Sequence, residues 1–571
     1  MGVSHVRPRS PRQAARLRQI VVISVLCLAI YCFLLTPSSG SSSTASKNSE
    51  TWESPPLMRP GKGAANGRSS LPPELLNNRF LTEDQCRATF PRLLEQVDDE
   101  VAKGPFTLTR TPGNLGPTIA RIRDGQLYIL SAARKSDLSK DMLAHRAATL
   151  HQIANALLTW PRSPSSHSSI PETIIAFNHH DDPKPNTFSY SRPADPMLQS
   201  NAATGAKKRF WVIPHFSLYS WPLPFIGSLP RAAEAISRIE EELGGDDDLI
   251  RGEGKEKESG FAKKIPRAVW RGTTWFNNPR AGRLRQNLVR AFGTKPDSSP
   301  SSSTSSSSPI NPAHPWADIQ ALDWAGTPAT SIETGPGAGE RNATNALRIE
   351  DFCRYKYVVH TEGVTYSGRF QFHTLCASVV VAPPVAWVQH LTHLLRPVFS
   401  STLDPDAPDS DSPPFPSSHS SSHSLFSSHK KHQGEKEQEQ TGPGLPRTPI
   451  HLGPRDPPPS LLPYPAPWVQ SAWPVSYSAS SSANIVFVAP DWSDLEATIL
   501  WLESHPRIAE GIARRQRALF HGGGYFSPAA EMCYWRGLIR GWSEVVQVED
   551  GAFEDLEEVT WEEFSLKEIH K

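Results

Sequence analysis

The sequence lacks a net charge of either sign: 59 Lys and Arg stand against 58 Asp and Glu, leaving +1 over 571 residues. That balance gives no argument for nucleic acid or an acidic partner. Cysteine is scarce, with six in all, and no two are spaced Cys-x-x-Cys, so a zinc site is not indicated. Long apolar runs are also lacking, with one exception, Ile20 to Leu35, interrupted only by Ser24. What is present in excess is proline, at 54 residues, together with blocks of Ser, Pro and His. Such blocks cannot bury a core, so roughly 400 residues are expected to fold, enough for one large two-lobed unit.

The apolar run sets the topology. Residues 1–19 carry Arg7, Arg9, Arg12, Arg16 and Arg18 and no acid. A basic flank before a single apolar segment keeps the N-terminus cytoplasmic and sends the rest across the membrane. The expected order is a tail over 1–19, a signal anchor over 20–36 and a flexible stem over 37–75. The competing reading is a cleaved signal peptide. The short span suits a thin bilayer such as the ER or early Golgi. Cys27 and Cys32 fall in the span; Cys86, Cys353, Cys376 and Cys533 fall beyond it, in an oxidising compartment where they can pair in three ways. Asn342-Ala-Thr344 is a candidate N-glycosylation site.

Further along, periodicity and turn residues predict a helix from Leu81 to Val101, a strand at Leu127–Leu130, a helix from Met142 to Trp160 and a buried strand at Thr173–Phe177. From Arg267 the expected order is strand, helix, strand, helix, strand, helix, with a strand at Tyr357–Val359 and helices over Pro279–Phe292 and Val385–Leu395. That alternation predicts a parallel sheet with helices on both faces, whose ligands bind at the carboxyl ends of its strands. Residues 294–312 and 400–460 are low-complexity insertions.

Three charged clusters follow predicted strands. Arg271-Gly272-Thr273, with Arg280 nearby, follows one; Ser367 and Arg369 follow another after a Glu362-Gly363 turn. Arginine's fork matches phosphate oxygens two at a time, and a helix opening after Arg369 would add its positive end. Two cationic turns at one sheet edge suit a diphosphate, although any single arginine is more plainly read as a salt-bridge partner. His179-His180-Asp181-Asp182 admits three readings: a polar loop, metal ligands, or a general base taking a proton from a hydroxyl. Residue types alone do not choose among them.

The motifs taken together resemble glycosyltransferase family 90, the capsule-associated group that includes the protein O-glucosyltransferases. They are Cys353-Arg-Tyr-Lys-Tyr357, Glu362-Gly363-Val-Thr-Tyr-Ser367-x-Arg369-Phe370, Leu375-Cys376-Ala-Ser378, Asn178-His-His-Asp181-Asp-Pro183, Phe188-Ser-Tyr-Ser191, Val269-Trp-Arg-Gly-Thr273, Asp491-Trp-Ser-Asp-Leu495 and Cys533-Tyr-Trp535. The resemblance implies an α/β fold of the GT-B type with two Rossmann-like lobes. An N-terminal acceptor lobe would cover 76–230 and a nucleotide-sugar lobe 265–528, with a helix over 529–548 returning to the first lobe. It implies inverting transfer of glucose or xylose from a UDP-sugar co-substrate to a hydroxyl of a glycan or protein, with no metal or other cofactor. By motif position Asp181 is the base. The donor contacts are Arg271, Gly272, Thr273, Arg280, Glu362, Val364, Thr365, Tyr366, Ser367, Gly368 and Arg369. His180, Asp182 and Trp221 lie on the acceptor side. The cysteine pattern implies Cys353–Cys376 and Cys86–Cys533. Two features depart from the family: His180 stands where many members have arginine, and Arg280 aligns only with a one-residue shift. The ending Glu568-Ile-His-Lys571 is not an ER-retrieval tetrapeptide, so a Golgi membrane protein with a lumenal domain is expected. The rival expectation is a non-catalytic lumenal glycan-binding protein of the same fold.

Overall fold

The structure, a computed structural model, describes residues 71–110, 116–161, 169–201, 204–223, 225–244, 259–274, 283–293, 311–323, 343–409 and 465–569. The tail, anchor and most of the stem therefore lie outside the described residues, as do Arg280, Asn342 and the greater part of both insertions. Among the described residues no helix is long and apolar enough to cross a membrane.

Two six-stranded sheets organise the fold. The first contains β1 (Thr118–Arg123), β2 (Gln126–Ser131), β3 (Thr173–Phe177), β4 (Phe188–Ser189) and β5 (Trp211–Val212), with Val559–Thr560 added beside β2. β1 and β2 turn at Asp124-Gly125, both at positive φ, which glycine adopts freely and Asp tolerates. β1 pairs antiparallel with both β2 and β3, whereas β3, β4 and β5 run parallel. The expectation of a Rossmann-like N-terminal lobe is corrected to that extent: half of its sheet is an antiparallel meander. The hairpin is too short for the helical crossover that a parallel neighbour requires.

The second sheet contains β6 (Ile265–Gly272), β7 (Ala317–Ala321), β8 (Tyr355–Val359), β9 (Val379–Ala382), β10 (Pro397–Phe399) and β11 (Ile485–Phe487), in the order β10-β11-β9-β8-β6-β7. Every pair is parallel. Its strands are buried on both faces, with Val358, Val359, Val379, Val380 and Val381 fully enclosed, as all-parallel sheets require. From β6 the chain first steps outward to β7 and then crosses back to β8. The winding direction thus reverses between β6 and β8, and the carboxyl ends of those two strands are where an open α/β sheet carries its ligand crevice.

Five helices matter here: α1 (Glu83–Thr89), α2 (Lys140–Leu158), α3 (Leu229–Leu243), α4 (Leu284–Phe292) and α5 (Pro528–Val545). α1 opens on the Thr82/Gln85 capping box that its sequence announces. α5 buries against the first sheet: the Trp542 indole donates to the Ile174 carbonyl at 2.9 Å and the Tyr534 hydroxyl to that of Val212 at 2.8 Å. The helix expected over Val385–Leu395 does not form. Trp387–Val388 instead pairs antiparallel with Arg192–Pro193, and a 3-10 turn follows at Thr392–Leu394. The Trp387 amide is held by the Glu362 carboxylate at 2.8 Å, so tertiary contacts override a short apolar run that periodicity could not assign.

Disulfides join Cys86 to Cys533 and Cys353 to Cys376, the pairs that the family resemblance implies. The first ties α1 to α5 across 447 residues. A loop that long lies at the high end of what a disulfide contributes, about 2–5 kcal/mol. Replacing Cys86 and Cys533 together with alanine should lower unfolding stability by that amount. A denaturant titration checks this, and an unchanged midpoint would contradict the assignment.

Candidate active site

The crevice is built from two loops and the start of one helix. The first loop leaves β3. Asn178, buried at its base, donates from Nδ2 to the Asp182 carbonyl at 2.7 Å and accepts the His180 amide at 3.3 Å. That clamp turns Asp181 and Asp182 in different directions. Asp182 faces solvent and pairs with Lys184 at 2.7 Å, both exposed, a contact worth little. Asp181 faces the crevice, where its carbonyl accepts the Thr365 hydroxyl at 2.9 Å and its carboxylate accepts a hydrogen bond from Tyr366. Desolvation by surrounding protein pushes the Asp181 carboxyl above its ordinary value, and the Tyr366 hydrogen bond opposes the shift. The side chain itself stays open to solvent, which tempers the upward push until a substrate covers it.

His180 is half-buried and packs its ring on His179 at 4.4 Å. His179 is enclosed, and burial pushes it down to about 3, so it is neutral at physiological pH. Among the described residues no group of three or more His, Cys, Asp or Glu could hold a metal ion.

The second loop, His360 to Arg369, leaves β8. Its turn is closed by the Gly363 amide donating to the Thr365 and Tyr366 carbonyls at 3.1 Å each. Thr365, Tyr366 and Ser367 are buried, and Val364 stands out at the tip. Gly368 cannot carry a side chain: a Cβ there would lie 2.5 Å from His215 Nε2 and 2.9 Å from Trp221. Trp221 is thereby placed against the loop, packed edge-on to Phe216 at 5.4 Å. The segment after Arg369 is only a single helical turn, Phe370–His373. The positive helix end expected there is too short to matter, and charge must come from side chains.

Two arginines supply it. Arg369 donates to the Arg271 carbonyl at the end of β6, and Gly272 leaves the room it needs, since a Cβ there would sit 3.2 Å from Arg369 Nη2. Arg285, on the first turn of α4, donates from Nε to the Glu362 carbonyl at 2.9 Å and from Nη1 to the Thr273 carbonyl at 3.2 Å. Leu284, Leu288 and Phe292 form the apolar stripe that seats α4 and so bring Arg285 to the strand ends. Burial lowers Arg369 to about 10, and burial with repulsion from Arg369 lowers Arg285 to about 9. Both remain charged at neutral pH. Two like charges at one switch point, Arg285 buried and Arg369 half-buried, favour a nearby anion.

Arg285 was missed in the sequence because Arg283, Arg285 and Arg290 crowd one short stretch, and the phase of a helix is unreadable without its start. Arg271 lies elsewhere. Its guanidinium pairs with Asp318 of β7 at 2.8 Å, both nearly inaccessible, and donates to the Asn345 and Asp318 carbonyls. Its guanidinium is held by these partners, and its carbonyl accepts from the Arg369 guanidinium. Glu362 and Thr273 likewise hold neighbours in place, through the Trp387 amide and through Arg285.

The family model for glycosyl transferase family 90 matches residues 165–400. The match contains Asp181, Arg285 and the Glu362–Arg369 loop, and it supports at family level the resemblance carried by the motifs. Glycosyl transfer is the general activity that the match brings with it. A comparison with curated proteins gives no match.

Proposed function

We propose, with membership of the 165–400 segment in glycosyl transferase family 90 as the premise, that this chain is an inverting glycosyltransferase of the GT-B type. It takes glucose or xylose from a UDP-sugar without a metal and passes it to a hydroxyl of a glycan or protein in the Golgi or ER lumen, anchored through residues 20–36. The observation that carries this reading is the meeting of Asp181 with the loop that presents Arg369 beside Arg285. One loop thus links a carboxylate to a cationic pair.

In this mechanism Asp181 takes the acceptor hydroxyl proton as that oxygen attacks the anomeric carbon. The bond to the diphosphate breaks on the opposite face, and its electron pair leaves with UDP. Arg285 and Arg369 meet the developing charge; donors so placed are worth about 3–4 kcal/mol each in a transition state. Incubating the full chain with UDP-glucose, UDP-xylose and other UDP-sugars tests the class of reaction. Slow release of UDP from one of them is expected even with water as acceptor. A pure binding protein of this fold would release none.

A further inference from the structure

We propose that Tyr366 and Thr365, carried on the donor loop, position Asp181 across the crevice, so that the base is correctly set only while that loop is in place. The inference rests on Asp181 being the base of an inverting transfer. It assigns a new role to two residues expected to touch the donor.

The geometry is specific. Two adjacent residues of one loop grip both ends of one aspartate: Thr365 Oγ1 donates to the Asp181 carbonyl at 2.9 Å, and the Tyr366 phenol donates to its carboxylate. The Tyr366 ring is enclosed between Tyr190, 6.1 Å away, and His215, 5.6 Å away and edge-on. Tyr190 is itself anchored to Thr149 of α2 at 2.8 Å. Tyr366 favours the charged form of the carboxylate, the form that accepts the acceptor proton. The tyrosine proton stays on tyrosine throughout; the acceptor oxygen forms the new bond to the anomeric carbon, and the departing pair goes to UDP.

The titratable groups around Asp181 are Tyr366, Tyr190, His179, His180 and Asp182. Burial pushes Tyr366 and Tyr190 well above the usual tyrosine range, so both remain protonated. His179 is already neutral. An acid limb in activity is thus assigned to the carboxylate that Tyr366 holds. The hydrogen bond favours its charged form, and removing it raises the pH below which the base is lost.

The test measures UDP release from UDP-glucose, or whichever UDP-sugar the full chain turns over best, together with UDP affinity. Tyr366→Phe should lower kcat on the order of 10–100-fold, the cost of a misplaced reacting group. UDP affinity should hold, and the acid limb of kcat/KM should move to higher pH. Thr365→Val should lower kcat in the same way and Thr365→Ser should restore it, which keeps the test decisive if Tyr366→Phe does not fold. On an Asp181→Asn background Tyr366→Phe should cost nothing further. An unmoved acid limb, or a loss confined to UDP affinity, would overturn the inference while Asp181→Asn still reports on the base. Full activity in Asp181→Asn would instead remove the reading on which it rests.

Discussion

Replacing Asp181 with asparagine should abolish nearly all glycosyl transfer, by about 10²–10⁴-fold, and leave UDP binding intact. Asparagine keeps the shape and still accepts from Tyr366 and Thr365, so the loop contacts survive. It cannot take a proton. The pH profile follows from the same residue. Asp181 is raised above its ordinary range by desolvation, and a base works only when unprotonated. Activity should therefore fall on acidification at a pH above the value of about 4 that a free aspartate would give. Wild-type turnover in Asp181→Asn would assign the proton to another group.

Arg369→Ala should weaken UDP binding by about 1.5–3 kcal/mol, roughly 10- to 150-fold in Kd, the ordinary loss for a hydrogen bond to a charged group. Isothermal titration with UDP reads this directly, and uridine, which lacks phosphates, should be bound almost equally by both forms. Arg285→Ala should weaken UDP binding comparably but also cost stability, because Arg285 ties the Glu362 and Thr273 carbonyls together. The Arg271–Asp318 pair gives the contrast. Both side chains are enclosed in the sheet, and breaking a buried pair costs about 3–5 kcal/mol of stability. Arg271→Ala should therefore fail by unfolding rather than by losing affinity alone. Unchanged UDP affinity in Arg369→Ala would count against the phosphate role.

The residues legible in the sequence are those whose role is set by a short local motif. Asp181 follows a five-residue apolar strand, and the Glu362–Arg369 turn follows another, so each could be placed at a strand end before any contact was known. What was not legible depends on distant partners. Arg271 and Arg369 look alike in a motif, yet Asp318, 47 positions from Arg271, claims one of them. α3 escaped notice because its apolar positions, Leu229, Ala232, Ile236 and Ile239, sit among acids and arginines and run into a charged stretch. The antiparallel start of the first sheet and the Trp387–Val388 pairing were hidden for the same reason, since strand partners are chosen by tertiary contacts. Val385–Leu395 shows the converse: apolar continuity suggested a helix where the chain instead pairs as a short strand with Arg192–Pro193.

One proton NMR time course of the full chain with the UDP-sugar it turns over, wild type beside Asp181→Asn, tests Asp181 as the base most directly. Wild type should release UDP, and the sugar should first appear in the anomeric configuration opposite to the donor, while the variant releases almost none. Release with the donor's configuration retained, or equal release by the variant, would contradict Asp181 as the base of an inverting transfer.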